Sequence, residues 1–506
     1  MTNLATLLTA SAAARPDARA VVLDDAVLGY GALDDLSARA ASMLVSAGVV
    51  PGDRVAMILP NVPHMPIAYY GILRMGGVVV PLNPLLTPRE LAYHFEDAEV
   101  SVVLVWEAVA GATREAVAGL GRQLPVVEIS AAGTLQTLAQ VPPLPEVLDQ
   151  ADDDPAVLLY TSGTTGRPKG AVLTHHNLLS NAQLSAELFS LGPGDVMFGG
   201  LPFFHVFGQT VALNGVVCAG ATVTLLPRFD PARALEILAR DEVTVFAGVP
   251  SMYIALLHAA GDGPVDLPRL RAGVSGGAAL PVEILERFEK VFGAPIYEGY
   301  GLSETSPVVC FNQQGQARKP GSIGTAVRGA RLKVVDDQDR EVPVGEVGEL
   351  VVAGEYVMAG YWRNPEATAA AVRDGWFHTG DLARVDEDGF YYIVDRKKDM
   401  VLRGGYNVYP REVEEVIYQF PGIAEAAVVG VPDEEMGEEV AAVVAFRDVP
   451  ADGATGKLGE LDAFVRERVA LYKQPRWYKV VDELPKGPTG KILKRSLDLT
   501  GAQRRS

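Results

Sequence analysis

The segment spanning residues 161–170 constrains this chain more than any other. It contains three glycines, four hydroxyl side chains and Lys169, and it directly follows the apolar run 157–160. Glycines let backbone N–H groups turn towards an anion, hydroxyls donate to phosphate oxygens, and a lysine adds positive charge. The segment therefore predicts a phosphate-binding loop directly after a buried strand.

The same segment differs from the common nucleotide-binding P-loop. That motif places its lysine before serine or threonine at the start of a helix, whereas Pro168 and Gly170 flank Lys169 here. Residues 171–174 look like a second strand, so we expect the loop to join two strands, with the next helix starting near His176. An ordinary hairpin loop is the alternative, because glycine, serine and threonine are common in any loop.

Composition narrows the functions open to the chain. Its 506 residues are 48% hydrophobic and 21% charged, which is enough for two or more domains that each bury a core. The formal net charge of −19 argues against nucleic acid or an anionic membrane surface as the main partner. An anionic substrate would therefore need a local basic pocket.

Three features bear on cellular location. Cys218 and Cys310 are far apart and offer neither a disulfide framework nor a metal-binding pattern, which fits a reducing compartment. Residues 1–14 have no basic side chain ahead of their apolar part, so we interpret them as an amphipathic helix instead of a secretion signal. The apolar tract 211–226 is interrupted by glycines and too short to span a bilayer. We expect a cytoplasmic protein without a membrane span.

The spacing of apolar residues predicts an α/β fold. Residues 54–59, 78–81 and 101–105 are continuous apolar strand candidates, and residues 36–47 carry apolar side chains at helical spacing. Strands of this kind, separated by helices, predict a mostly parallel sheet that is covered on both faces.

Two later regions have a different pattern. Residues 324–353 alternate polar and apolar side chains, which predicts a small antiparallel β subdomain that residues 375–382 and 389–396 extend. From residue 397 onwards the chain predicts a separate small α/β unit. Its expected helices are 412–418 and 457–469, and its expected strands are 424–431 and 439–446.

Three segments in the first 400 residues carry further candidate functional residues. His205 lies among aromatic residues, where it is either a packed core residue or the mouth of an apolar substrate pocket. A strand followed by Gly276 and Gly277 indicates close approach of the backbone to a ligand or another segment. Tyr300 and Glu304 can stack a base and hold Mg²⁺, although a tight turn with a surface glutamate fits equally well.

The last candidate is Lys491. It lies in a glycine- and proline-containing loop, residues 485–492. A solvated charged loop is the usual interpretation of such a segment.

Taken together, these segments resemble the acyl-activating, adenylate-forming superfamily, which contains acyl-CoA synthetases, firefly-type luciferases and peptide-synthetase adenylation domains. The resemblance runs through essentially the whole chain. It rests on six motifs in the family's order, residues 161–170, 202–208, 300–305, 375–381, 396–405 and 485–491. It implies an N-terminal domain of residues 1–397 and a mobile C-terminal domain of residues 398–506, joined at a hinge at Lys398.

The resemblance also implies roles for the matched residues in binding ATP. The β- and γ-phosphates would be held by Thr161, Ser162, Gly163, Thr164, Thr165, Gly166 and Lys169. The nucleotide would be flanked by Gly276, Gly277, Ala278, Tyr300, Gly301 and Ser303. Asp381 and Arg396 would take the ribose hydroxyls, and Glu304 would bind Mg²⁺ together with Thr165.

The other implied roles concern the acid and CoA. The acyl group would be lined by His205, Val206, Phe207, Val249, Gly276 and Gly301. Lys491 would reach the substrate carboxylate and the α-phosphate, as a catalytic residue alongside Glu304 and His205. CoA would be bound by Arg403, Gly404 and Gly405.

The implied function is an ATP-dependent carboxylic acid:CoA ligase. A thiol cannot attack a carboxylate until one oxygen becomes part of a leaving group, and adenylation provides that group. No arginine lies in the segments that would line the acyl group, so we expect a hydrophobic monocarboxylic acid, whether fatty, aromatic or polycyclic. Two alternatives stay open, an enzyme that passes the acyl group to a carrier protein or partner enzyme, and a catalytically silent homologue. A homodimer also stays open.

Overall fold

The computed structural model describes residues 2–161, 167–261, 263–447, 451–487 and 490–505, and only the backbone of residues 452 and 455. Within these ranges, no helix combines the length and the apolar character needed to pass through a bilayer.

The strands before residue 397 form three sheets. They are β1 (Arg19–Leu23), β2 (Ala26–Gly29), β3 (Arg54–Ile58), β4 (Val78–Pro81), β5 (Val100–Trp106), β6 (Val126–Ile129), β7 (Pro155–Thr161), β8 (Lys169–Thr174), β9 (Val196–Gly199), β10 (Thr222–Leu225), β11 (Val245–Gly248), β12 (Ala272–Ser275), β13 (Ile296–Gly301), β14 (Val308–Phe311), β15 (Thr325–Ala326), β16 (Ala330–Val335), β17 (Gly348–Gly354), β18 (Gly360–Tyr361), β19 (Val372–Arg373), β20 (Trp376–Val385) and β21 (Tyr391–Arg396).

Helices connect these strands. They are α1 (Thr6–Ala14), α2 (Tyr30–Ser46), α3 (His64–Arg74), α4 (Pro88–Asp97), α5 (Ala110–Ala118), α6 (Gly133–Leu138), α7 (His175–Leu188), α8 (Gly215–Ala219), α9 (Pro231–Arg240), α10 (Pro250–Ala260), α11 (Val282–Phe292) and α12 (Pro365–Ala371), with a π-helix at Phe207–Asn214 and 3₁₀ turns at Glu107–Val109 and Ser303–Thr305.

The two largest sheets are parallel in their middle and antiparallel at one or both edges. One has the order β15-β14-β13-β12-β11-β9-β10-β1-β2, and the other has the order β18-β8-β7-β4-β3-β5-β6. All four residues of β4 are buried, as expected for a parallel strand covered on both faces. A third sheet, β16-β17-β20-β19 with β21 beside β20, is antiparallel. The predicted α/β fold and its β subdomain are confirmed.

The predicted phosphate loop joins two strands, as expected. β7 and β8 pair antiparallel, with Thr161 opposite Lys169. The side chain of Thr174 then accepts from the backbone N–H of Asn177, which caps α7 and starts the helix at His175. Residues 162–166 lie outside the described residues.

The chain after residue 400 has its own sheet and its own core. Its elements are β22 (Val401–Arg403), β23 (Tyr406–Val408), α13 (Pro410–Tyr418), β24 (Ile423–Asp433), β25 (Gly437–Phe446), α14 (Thr455–Arg466), β26 (Trp477–Val480) and β27 (Gln503–Arg504), with 3₁₀ turns at Ala451–Gly453, Leu471–Lys473 and Lys494–Ser496. The predicted helices and strands are present, although α14 ends three residues earlier than expected. The proposed boundary between residues 397 and 398 falls in the connection between β21 and β22 and stays a prediction.

Candidate active site

The carboxyl ends of β11, β12 and β13 meet at one edge of the large sheet, because these strands are parallel neighbours. Gly276 and Gly277 follow β12 at this edge. A Cβ at Gly276 would lie 3.4 Å from the ring of Phe207, and a Cβ at Gly277 would lie 3.5 Å from a methyl group of Val249. The structure therefore brings these four predicted site residues together. Val206, which precedes Phe207 in sequence, is also buried.

Glu304 lies beside the first residue of the phosphate loop. Glu304 is buried, with 8% of its surface exposed. Its Oε1 accepts a hydrogen bond from Thr161 Oγ1 at 3.3 Å and another from the hydroxyl of Tyr361 at 2.9 Å. The Lys169 ammonium lies 5.2 Å from the centre of the Tyr361 ring. The surface-glutamate interpretation of Glu304 was therefore wrong.

This group of residues fits a Mg²⁺ ion that arrives with a nucleotide. Proteins usually bind Mg²⁺ through one or two carboxylates plus the phosphates of the substrate, and Glu304 supplies one carboxylate next to the phosphate loop. Among the described residues, no group of three or more histidine, cysteine, aspartate and glutamate side chains could hold a metal by itself.

A second acidic residue lies at the end of the β subdomain. Asp381 on β20 stands opposite Arg396 on β21, with 3.3 Å between Asp381 Oδ1 and Arg396 Nε. The Tyr300 hydroxyl donates to Asp381 Oδ2 at 2.6 Å. Burial and the adjacent Asp381 carboxylate raise the pKa of Tyr300, so its hydroxyl stays a donor. The three residues form a polar group suited to vicinal hydroxyls.

The loop that carries Lys491 reaches the N-terminal domain. Within the loop, Gly487 N donates to the Lys491 carbonyl at 2.8 Å. Gly490 has a φ of +77°, and a Cβ there would lie 2.5 Å from Ser251 Oγ and 3.2 Å from a Val249 methyl group. The loop therefore packs against the start of α10, beside the residues that follow β11. Residues 488 and 489 lie outside the described residues.

Lys491 sits among charges of both signs. The surrounding protein lowers the pKa of Lys491 to about 8, mainly by desolvation, and the positive charges of Arg396 and Lys398 act in the same direction while Asp381 and Asp399 oppose it. At neutral pH the amine is therefore protonated. Lys491 is exposed, so the interpretation of its loop as a solvated segment stays open, but the lysine charge also interacts with Asp381 and His205 of the N-terminal domain.

His205 is neutral. Burial and the nearby Lys491 charge lower the pKa of His205 to about 4. Its Nδ1 accepts from the backbone N–H of Phe207 at 3.3 Å, which leaves the proton on Nε2. The structure thus brings His205 and Lys491 into one electrostatic neighbourhood, although they are almost three hundred residues apart in sequence.

Several predicted residues have other surroundings. A Cβ at Gly301 would lie 1.6 Å from the Pro307 carbonyl oxygen, so packing alone requires glycine there. Ala278 is exposed after β12, and Ser303 opens the 3₁₀ turn that contains Glu304. Their predicted contacts with ATP, and that of Gly301 with the acyl group, stay predictions.

The predicted CoA residues have their described contacts inside the C-terminal domain. Arg403 is 5% exposed and donates to Glu439 Oε1 at 3.0 Å and to the Tyr472 carbonyl at 2.9 Å. Gly404 and Gly405 form the β22–β23 turn with φ values of +55° and +83°. The guanidinium of Arg403 thus stabilises its own domain, and its role in CoA binding stays a prediction.

The sequence interpretation missed Tyr361, Ser251 and Asp399. Tyr361 follows a glycine and precedes a tryptophan, which is a common edge-strand pattern without any chemical signal. Its contact with Glu304 depends on strand pairing between distant segments. Ser251 and Asp399 become relevant only through the position of Lys491.

Comparison with known proteins identifies the family. AMP-binding enzymes match residues 8–362, and the C-terminal domain of AMP-binding enzymes matches residues 412–491. The chain is 40% identical to a long-chain-fatty-acid–CoA ligase of Bacillus subtilis strain 168, over 98% of this chain and 94% of the relative. It is 39% identical to a feruloyl-CoA synthase of an Amycolatopsis species, over 95% of each chain.

Solved structures agree with these relatives. ATP-bound MatB from Rhodopseudomonas palustris aligns with a TM-score of 0.90 at 35% identity, covering 98% of this chain and 97% of that one. The anthranilate CoA ligase AuaEII in complex with anthranoyl-AMP aligns with a TM-score of 0.91 at 29% identity, covering 97% and 95%.

The chain belongs to the AMP-binding enzyme family. Within this family it is an AMP-forming acyl-CoA synthetase, an ATP-dependent acid:CoA ligase that works through an acyl-adenylate. ATP, CoA and a small carboxylic acid are its substrates.

Proposed function

We propose that the acid is a hydrophobic monocarboxylic acid, whether fatty, aromatic or polycyclic. Val206, Phe207 and Val249 are buried apolar side chains at the edge of the sheet where Gly276 and Gly277 leave space. The relatives named above act on long-chain fatty acids and on ferulate, and a solved neighbour acts on anthranilate. His205 is neutral and adds no charge to these apolar surroundings.

Lys491 is the residue we assign to adenylation, and its position is the observation that carries the proposal. In this step a carboxylate oxygen forms a bond to the α-phosphorus of ATP, and the bond to the bridging oxygen of pyrophosphate breaks. Two anions must approach each other, so a protonated amine near the reacting atoms offsets their repulsion and the developing charge. Arg396 contributes a second positive charge, held by Asp381.

The remaining ATP contacts follow from the same arrangement. We assign Thr161, Lys169 and the loop between them to the β- and γ-phosphates, and Tyr300, Asp381 and Arg396 to the adenine and ribose. Glu304 and Thr165 would hold Mg²⁺, which neutralises phosphate charge when it is bound.

For the second step we propose that the C-terminal domain rotates about Lys398. Lys491 leaves, and the β22–β23 turn with Arg403, Gly404 and Gly405 approaches. The CoA thiol then attacks the acyl carbonyl, AMP departs with the bonding electron pair, and the thiol proton passes to solvent. Leu402 and Tyr406, which flank this turn, are 51% and 59% exposed, and these apolar side chains are available for contact with another surface.

The test is exchange of labelled pyrophosphate into ATP with a panel of carboxylic acids, repeated with CoA while AMP and thioester are followed. We expect exchange with one hydrophobic acid class and thioester once CoA is added. Exchange without thioester would favour a carrier protein or partner enzyme as acceptor. Exchange confined to dicarboxylic acids would contradict the proposed acid class, and no exchange with any acid would contradict the function.

A glycine substitution tests the position of the acyl group. A Cβ at Gly276 would lie 3.4 Å from the Phe207 ring, which is ordinary contact, so Gly276→Ala should fold while narrowing the pocket. Exchange should fall more for bulky aromatic acids than for slender straight-chain acids. Gly456→Ala is the matched control, since a Cβ there has no described neighbour within 4 Å. Equal effects on every acid would refute the assignment.

Two further points complete the proposal. ATP and CoA are both cytoplasmic metabolites, so we place the enzyme in the cytoplasm, to be tested by cell fractionation. Light scattering would report whether the enzyme is a homodimer.

A further inference from the structure

Two hydroxyl groups hold one oxygen of Glu304. The Tyr361 hydroxyl donates to Glu304 Oε1 at 2.9 Å, and Thr161 Oγ1 lies 3.3 Å from the same oxygen. A carboxylate offers two oxygens, so a carboxylate held in this way through Oε1 presents Oε2 in a fixed direction. The hydrogen bond from Tyr361 is the shorter of the two.

The backbone around Tyr361 connects the two halves of the phosphate site. Met358 N donates to the Glu304 carbonyl at 2.8 Å. Three residues later, β18 pairs antiparallel with β8, which puts Tyr361 opposite Ala171. Trp362 N donates to the Gly170 carbonyl at 2.7 Å. One short segment therefore fixes Glu304 and the strand that begins with Lys169.

The Tyr361 ring also contacts Lys169. Lys169 Nζ lies 5.2 Å from the ring centre, within the range of a cation–π contact. The hydroxyl restrains the carboxylate and the ring face restrains the lysine.

We propose that Tyr361 is a positioning residue that orients Glu304 for Mg²⁺ and Lys169 for the phosphates of ATP. This inference rests on the proposed role of Glu304 as the metal-binding carboxylate. In this role Tyr361 would act through Glu304 and Lys169 and not on the reacting atoms. Its effect should therefore appear in the metal dependence of nucleotide binding.

The test measures ATP affinity by calorimetry at a series of Mg²⁺ concentrations, without acid or CoA. In the wild type, Mg²⁺ should strengthen ATP binding. Tyr361→Phe removes the hydroxyl but keeps the ring. The factor by which Mg²⁺ strengthens ATP binding should therefore be about tenfold smaller than in the wild type, which is the value of one hydrogen bond to a charged group. Its affinity for ATP without Mg²⁺ should be unchanged. Tyr361→Leu also removes the ring face, so it should weaken binding without Mg²⁺ as well.

Two control variants separate the possible outcomes. Tyr391→Phe loses a hydroxyl that donates to the Leu332 carbonyl at 2.9 Å in the β subdomain, and it should bind ATP and Mg²⁺ as the wild type does. Glu304→Gln should lose most of the Mg²⁺-dependent gain.

If Glu304→Gln loses that gain while Tyr361→Phe keeps it, the positioning role is wrong and the role of Glu304 stands. If Glu304→Gln keeps the gain, both roles are wrong. Equal losses in Tyr361→Phe and Tyr391→Phe would point to general loosening and would also overturn the inference. Because the assay needs no acid, failure of the acid:CoA proposal is seen separately, in the exchange experiment.

Discussion

Replacing Lys491 with alanine should abolish most of the adenylation activity. Two unit charges about 4 Å apart interact by about 4 kcal/mol at an effective dielectric constant of about 20, which corresponds to about a thousandfold in rate. Arg396 and Lys398 remain as neighbouring positive charges and retain part of this stabilisation. We therefore expect pyrophosphate exchange to fall by about 100- to 1000-fold, in line with the loss of other electrostatic donors.

The assay compares the two half-reactions in the same variant. Lys491→Ala should still form thioester from supplied acyl-adenylate and CoA, because the lysine would be withdrawn in that step. Lys457→Ala is the control, since Lys457 lies on α14 of the same domain and contacts the Phe446 ring. Equal loss of both half-reactions in Lys491→Ala would refute the division of labour, and retained exchange would refute the catalytic role.

Three further predictions follow from single residues. The pKa of Lys491 is lowered to about 8, so the active protonated form predominates below that pH and kcat/KM should fall as the pH rises through about 8. Lys491→Arg should move this decline to higher pH. An unchanged pH profile in the arginine variant would contradict the prediction. Gly301→Ala forces a methyl group against the Pro307 carbonyl, so its Tm should drop by about 5 °C or more in thermal denaturation, and a wild-type Tm would contradict the packing argument. Asp381→Asn should raise the KM for ATP by about tenfold or more in initial-rate measurements, because a neutral amide accepts weaker hydrogen bonds from the ribose hydroxyls than a carboxylate does. An unchanged KM would exclude a ribose contact.

Much of the fold could be predicted from local pattern. Continuous apolar runs such as β4 and β5 indicate strands that are buried on both faces, and the structure confirms both. The loop after β7 was predicted to join two strands because apolar segments flank it on both sides. Such signals lie within ten residues of sequence and do not depend on distant partners.

The surroundings of the site residues could not be predicted in the same way. The ligand contact of Gly301 stays a prediction, but the sequence did not indicate that the shifted register of β13 and β14 brings the Pro307 carbonyl against this glycine. Tyr361 has no chemical pattern around it, and its contact with Glu304 arises because β18 adds to the edge of β8. The charges around Lys491 depend on how the two domains meet, which no local sequence pattern encodes.

The most direct test of the central claim is a quenched reaction of enzyme, ATP and an accepted acid without CoA, followed by mass spectrometry. We predict about one equivalent of acyl-AMP per enzyme, released pyrophosphate, and complete conversion to acyl-CoA and AMP when CoA is added. Formation of ADP and phosphate, or thioester that appears without any acyl-AMP, would contradict the account.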